Sequence, residues 1–375
     1  MALNLYSGEP QDGVFPHMDD HFAIREMAAA DTAFQFAQGS AAELPKSFSY
    51  SGNDRSTQHF IEDTDTSALL VLKNGKIRTE QYFLTGGQDV RWISWSVAKS
   101  FLSALIGIAI AEGAIASIEE PITKYVPELK SSAYTDVRIK DVLQMSSGAR
   151  WNEDYSDPSS DIHRLGAVMA GKSTLAEFVG KIEPATQPGT LCQYNSADSQ
   201  ALGLMLSAAT GQPVADYMHE KLCQPLGMES PGYWLIDHAG VELTLGGLNL
   251  TARDFAKIGE LFRNKGVWAG HQLVPESWVA ESIRSDAPHL QPGKVIVGGH
   301  VFPFGYGYQW WIPDGDIGEF SAIGVYNQFV YVDPSRGVVI VKLSANRKYG
   351  TTPDEAENRE EETMAFLRAV ARQLD

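Results

Sequence analysis

The chain reads as an α/β (α+β) protein in which strands from both ends share one antiparallel sheet flanked by helices, with an all-α unit inserted between them. Two observations predict this. Alternating, β-branched segments occur near Ala68–Phe83 and again from Gly305 to Leu343, whereas the block from Ser96 to about Gly240 carries helical spacing and helix stops. The expected division is 1–95 as an N-terminal segment and first part of the α/β domain, 96–240 as a mostly α-helical domain, and 241–375 as its second part with a C-terminal helix.

Up to about Phe60 the chain lacks strong periodicity, and a wrapping segment with one short helix near His21–Ala30 is expected. Ala68 to Phe83 reads as two strands joined by Asn74-Gly75, a pair that accepts positive φ at both positions of a tight hairpin turn. Helices follow at Ser96–Glu112 before Gly113, Ile139–Met145, Thr174–Ile182, Ser196–Thr210 before Gly211, and Val214–Gln224. Thr251-Ala252-Arg253-Asp254 caps another through Phe262. Strands are expected at Gly305–Ile312, Phe320–Val325, Gln328–Val332 and Gly337–Leu343, with Asp333-Pro334-Ser335-Arg336-Gly337 as a turn. Glu355–Leu374 is amphipathic and reads as a terminal helix.

The 375 residues are 43% hydrophobic, enough for sizeable cores, and carry a formal net charge of −17. That charge argues against a nucleic-acid partner, which needs a basic stripe. The first residues carry neither a basic nor an apolar signal region, so a cytoplasmic location is expected. Phe101 to Ala111 is too short to span a bilayer, and no membrane partner is expected. The two cysteines, Cys192 and Cys223, lack metal-ligand spacing and read as buried free thiols.

Ser96-Val97-Ala98-Lys99 places a hydroxyl and an amine one turn apart at the head of an apolar helix. A desolvated lysine loses its charge more easily and can accept the serine proton. Unpaired N–H groups at the helix end suit an anionic intermediate. A chain of this length shows a Ser-x-x-Lys about once by chance, so its surroundings carry the assignment. Tyr194-Asn195-Ser196, in a loop at a helix head, offers a phenol whose pKa a nearby ammonium would lower, fit for proton transfer. Read alone, Ser196 is an N-cap and Tyr194 a packed aromatic.

With these residues in place, the chain resembles the penicillin-recognising serine hydrolases, in the class C β-lactamase-like branch with family VIII carboxylesterases and 6-aminohexanoate-dimer hydrolases. The resemblance covers about 65–345. It rests on Ser96-x-x-Lys99, Val142-Leu143-Gln144-Met145-Ser146-Ser147-Gly148, Trp151-Asn152-Glu153-Asp154-Tyr155, Tyr194-Asn195-Ser196, Gly246-Gly247-Leu248, Thr251-Ala252-Arg253-Asp254, Gly307-Tyr308-Gln309-Trp310-Trp311 and Gly324-Val325-x-x-Gln328. It implies a β-lactamase/transpeptidase-like fold, an acyl-enzyme at Ser96, Lys99 and Tyr194 as coupled base and acid, and an oxyanion hole from the N–H groups of Ser96 and Val325. It also implies a substrate cleft reached by Tyr155, Leu245, Ser196, Tyr326 and Asn327. Two features depart from the lactam-cleaving members. The Lys-Thr-Gly strand motif is replaced by Gly324-Val325-Tyr326-Asn327-Gln328, and Ser196 stands where β-lactamases carry Asn. Leu245 stands where the aminohexanoate-dimer hydrolases carry a substrate-holding asparagine.

The expected activity is cofactor-free and metal-free hydrolysis of a small ester or linear amide, with homodimerisation left open. A β-lactamase or DD-peptidase is the alternative within the fold, and a non-catalytic binding protein the alternative outside it. Gly166 to Ser173 fits the P-loop expression, but the residues before it read as a helix start rather than a buried strand, so a helix stopped at Gly171 is expected. Among the scattered histidines, His163 is expected near Tyr155, and His238-Ala239-Gly240 reads as a loop.

Overall fold

The computed structural model describes residues 6–297, 300–315 and 317–374. Both halves of the chain contribute to an eight-stranded sheet: β1 (Ala37–Gln38), β2 (Thr66–Lys73), β3 (Lys76–Tyr82), β4 (Phe304–Tyr306), β5 (Trp311–Pro313), β6 (Phe320–Gly324), β7 (Gln328–Asp333) and β8 (Val338–Ser344). Their spatial order is β4-β5-β6-β7-β8-β2-β3-β1. Every pair is antiparallel except the edge strand β1, which runs parallel to β3. The halves meet at the β8–β2 ladder, which pairs Val338 with Lys73 and Lys342 with Leu69. Asn74 (φ 50°) and Gly75 (φ 69°) form the left-handed turn expected of the β2–β3 hairpin.

The longest helices among the described residues are α1 (Ala98–Ala111), α2 (Ser196–Thr210), α3 (Ala252–Arg263) and α4 (Glu360–Arg372). The central strands are buried on both faces, and their side chains alternate between two cores. Leu70, Leu72, Val330, Val339 and Val341 join the larger core with Phe255, Ile258 and Phe262 of α3. Leu69, Val71, Phe329 and Ile340 face the other way, toward Phe366, Leu367 and Val370 of α4. Gly259 lets α3 lie close, since a Cβ there would come 2.7 Å from Val339 Cγ1. The α1 and α2 helices pack against each other beside these layers.

Tertiary pairing changes several expected elements. Instead of a helix near His21–Ala30, Ile24–Met27 forms a strand in register with Gly232–Leu235. The unpaired edge of that partner outweighs the weak local helical preference of Ile24-Arg25-Glu26-Met27. Gly305–Ile312 is two strands, because Gln309 (φ 62°) turns away to bond Ser199 Oγ at 2.6 Å and the Leu143 carbonyl at 2.8 Å. Val214–Gln224 is helical to Met218 and continues as a π-turn over His219–Cys223. The last long helix starts at Glu360 rather than Glu355, since Glu355 and Arg359 both take positive φ. Asp161–Met169 is a helix, followed by Gly171 at φ 79°, as the P-loop-like segment was expected to be. Cys192 and Cys223 are buried and free. No helix among the described residues is long and apolar enough to cross a membrane.

Candidate active site

Ser96 is presented by a strained turn between a small sheet and α1. Trp92–Ile93 pairs with Leu248–Leu250, and the Ser94 N–H continues that ladder to the Leu248 carbonyl at 2.7 Å. The chain then reverses at Trp95, whose φ of 43° is costly for a bulky residue. Aromatic packing holds it there: Phe15 lies 5.6 Å and Tyr326 5.7 Å from its ring. A 3₁₀ turn over Trp95–Val97 leads directly into α1. Gly324, at the end of β6, abuts this turn, and a Cβ on it would lie 2.6 Å from the Ser94 carbonyl oxygen and 3.0 Å from the Ser96 nitrogen. Only glycine lets β6 approach the serine backbone this closely.

Lys99, only 1% exposed, reaches Ser96 Oγ at 2.8 Å, the Leu245 carbonyl at 2.7 Å and Ser196 Oγ at 3.3 Å. Burial lowers its pKa to about 7, against the opposing field of Glu153. The Tyr194 phenol lines the cleft beside Ser96, and its ring stacks on Trp311 at 5.1 Å and lies 5.1 Å from Lys99 Nζ. Its pKa is raised well above the ordinary phenol value, first by burial and then by Glu153, rather than lowered by an ammonium as expected. Burial therefore favours the neutral form of both groups, the free amine of Lys99 and the protonated phenol of Tyr194.

Of the other expected site residues, Tyr155 and Val325 line the cleft beside Ser96. Ser196, Leu245, Tyr326 and Asn327 do not. Ser196 faces Lys99 and Glu153 behind the serine. Leu245 contributes its carbonyl to Lys99 while its side chain sits in the core, so an asparagine there would bury an amide rather than greet a substrate. Tyr326 packs on Tyr6 at 5.4 Å and accepts its N–H. Asn327 is committed to the Asn358 carbonyl and to Asn346. His163 does lie by Tyr155, bonded to its carbonyl oxygen at 2.9 Å, and is not among the residues that line the cleft.

The sequence reading passed over Glu153. It is 3% exposed and accepts from Ser196 Oγ at 2.6 Å, Tyr155 Oη at 2.8 Å, the Ser196 N–H at 3.1 Å and Trp151 Nε1. The available signal is the alternation of Trp151, Glu153 and Tyr155, all three buried, with the more exposed Asn152 and Asp154 between them. Also unforeseen are two kinds of residue that line the cleft. Phe302, Trp311 and Ile323 are apolar, and Phe302 meets Trp311 at 5.0 Å, while Tyr349, Glu355 and Glu360 are polar. Burial pushes Glu360 up to about 8, with Tyr349 donating to it.

This fold and serine-centred cleft are those of a β-lactamase-type serine hydrolase, and the chain belongs to the β-lactamase family, whose model matches residues 54–363. It is 30% identical over 293 residues to the 6-aminohexanoate-dimer hydrolase of Paenarthrobacter ureafaciens, covering 76% of this chain and 74% of that protein. A β-lactamase of Yersinia enterocolitica is 23% identical over 62% of each chain. Among solved structures, a candidate 6-aminohexanoate-dimer hydrolase from Bacillus anthracis superposes with a TM-score of 0.84, at 23% identity over 98% of this chain and 97% of that one. A family VIII carboxylesterase gives 0.64 at 14% identity over 84% and 95%. At these identities the two structures establish the fold alone.

Proposed function

We propose that this serine hydrolase cleaves a small ester or linear amide through an acyl-enzyme on Ser96. The observation that carries the reading is the buried Lys99 amine, 2.8 Å from Ser96 Oγ and with a pKa near 7. Ser96 Oγ attacks the substrate carbonyl carbon as its proton passes to Lys99 Nζ. The N–H groups of Ser96 and Val325 would hold the resulting oxyanion, each such donor being worth about 3–4 kcal/mol. When the C–N or C–O bond breaks, Tyr194 gives its proton to the leaving atom and regains one from Lys99. Water then attacks the acyl carbon and gives a proton back through the same groups, which restores the Ser96 hydroxyl.

Substrate charge separates an uncharged ester from a β-lactam. A β-lactam carries a carboxylate, and among the described residues lining this cleft there is no lysine or arginine to pair with it. Independently of charge, the Paenarthrobacter relative is named for hydrolysing a 6-aminohexanoate dimer, which supports an amide bond as one substrate class. Turnover (kcat/KM) of p-nitrophenyl butyrate should exceed that of nitrocefin by about a hundredfold or more. The loss of one charge-assisted hydrogen bond, about 1.5–3 kcal/mol, already accounts for much of that. Efficient nitrocefin hydrolysis with micromolar saturation would reverse the assignment in favour of a lactamase.

A further inference from the structure

Lys99 makes three short polar contacts, yet a neutral amine has two protons and one lone pair. For it to take the Ser96 proton, the lone pair must face Ser96 and both N–H groups must be used elsewhere. The Leu245 carbonyl, at 2.7 Å, can only accept, which fixes one of them. Ser196 is the ambiguous partner, because a hydroxyl can either accept from the amine or donate into its lone pair. The second arrangement would silence the base.

Glu153 removes that ambiguity. Its Oε1 lies 2.6 Å from Ser196 Oγ, and as a carboxylate it offers only acceptors, so the single Ser196 proton is committed to it. The Ser196 oxygen, 3.3 Å from Lys99 Nζ, is then left as an acceptor. Glu153 is itself fixed by Trp151 Nε1, Tyr155 Oη and the Ser196 N–H at the head of α2. We propose that Glu153 is a positioning residue that aims the Lys99 lone pair at Ser96 by holding the Ser196 hydroxyl proton. This rests on the reading of Ser96 and Lys99 as nucleophile and base, and adds to it a carboxylate that touches neither substrate nor nucleophile.

The charge of Glu153 acts in the same direction as its geometry. It opposes the desolvation of Lys99, keeping the amine basic enough to be useful. The other titratable groups that feel Glu153 are Tyr155 on its own segment, Tyr6 from the N-terminal segment, Tyr194, Tyr306 of β4 and Asp198 of α2. The four phenols are raised well above their ordinary range. Asp198, bonded to Ser147 and Tyr134, is pushed up to about 7 and titrates alongside Lys99. Loss of the Glu153 charge lowers both Asp198 and Lys99, so the shift it causes has one sign.

The experiment is a double-mutant cycle on p-nitrophenyl butyrate with full pH profiles. Glu153→Gln offers Ser196 a donor, frees its proton to turn toward Lys99, and should lower the kcat/KM plateau by about 10- to 100-fold, part of what positioned proton transfer supplies. The acid limb should move to lower pH. Ser196→Ala should cost about tenfold by itself, and adding Glu153→Gln to it should change the plateau by less than about threefold, because no hydroxyl remains to turn. An equal loss from Glu153→Gln in both backgrounds, with an unmoved acid limb, would show that Glu153 only supports the fold. If Glu153→Gln does not fold, as read by near-ultraviolet circular dichroism, Ser196→Ala decides, and undiminished kcat/KM in the folded variant would overturn the proposal. Inactive Ser96→Ala beside an unaffected Glu153→Gln would reject this relay alone, whereas active Ser96→Ala would reject the nucleophile on which it rests.

Discussion

Ser96→Ala should abolish p-nitrophenyl butyrate hydrolysis, by on the order of 10⁴-fold or more in kcat, and should abolish covalent labelling by a fluorophosphonate. No other lysine in the chain has a serine three residues before it. The surrounding turn also serves this hydroxyl specifically: the left-handed Trp95, the glycine at 324 and the buried amine 2.8 Å away all converge on it. Some rate above the uncatalysed reaction should survive, since oxyanion donors and substrate binding persist after a nucleophile is removed. Intact-mass measurement gives the decisive reading. One phosphonyl adduct on the parent and none on the variant is the expected result, and wild-type turnover with labelling of another serine would sink the assignment.

The fold was legible where local pattern and tertiary demand agree. The Asn74-Gly75 hairpin, the helix Ser196–Thr210 and the strands from Phe320 to Ser344 each carry period and turn chemistry that state their own structure. Elements governed by a partner were not legible: Ile24–Met27 is a strand only because Gly232–Leu235 presents an edge, and Gln309 breaks its segment only because Leu143 and Ser199 wait across the molecule. The site divides in the same way. Helical spacing puts Ser96 and Lys99 together, and a loop at a helix head delivers Tyr194. The hydrogen-bond partners that decide what Ser196, Leu245 and Asn327 do come from distant segments, and spacing along the chain is silent about them. Glu153 lay among Asp154 and Asp157 in an acidic run, and only its period-two alignment with Trp151 and Tyr155 sets it apart.

Lys99→Ala and Tyr194→Phe should each lower kcat by about 10²–10⁴ with the fold intact, because each removes one station of a positioned proton transfer. The pH profile distinguishes their roles. Lys99 must be neutral to accept the Ser96 proton, and its pKa near 7 means that it is charged below that value and neutral above it. The kcat/KM of the parent should therefore rise about tenfold per pH unit on the acid side and level off above about pH 8. Tyr194, held well above the ordinary phenol value, keeps its proton throughout this range and contributes no limb of its own near neutrality. Tyr194→Phe should accordingly lower the plateau and leave the acid limb in place, whereas Lys99→Ala should remove that limb along with the activity. Amide substrates, with their poor nitrogen leaving group, should lose more than p-nitrophenyl esters when Tyr194 becomes Phe, since p-nitrophenolate leaves without a proton. The double variant should be little worse than the poorer single one if the two side chains pass a single proton. Strictly additive losses, or an equal effect of Tyr194→Phe on esters and amides, would mean that the phenol only packs against Trp311 and that Lys99 carries the proton to the leaving group unaided.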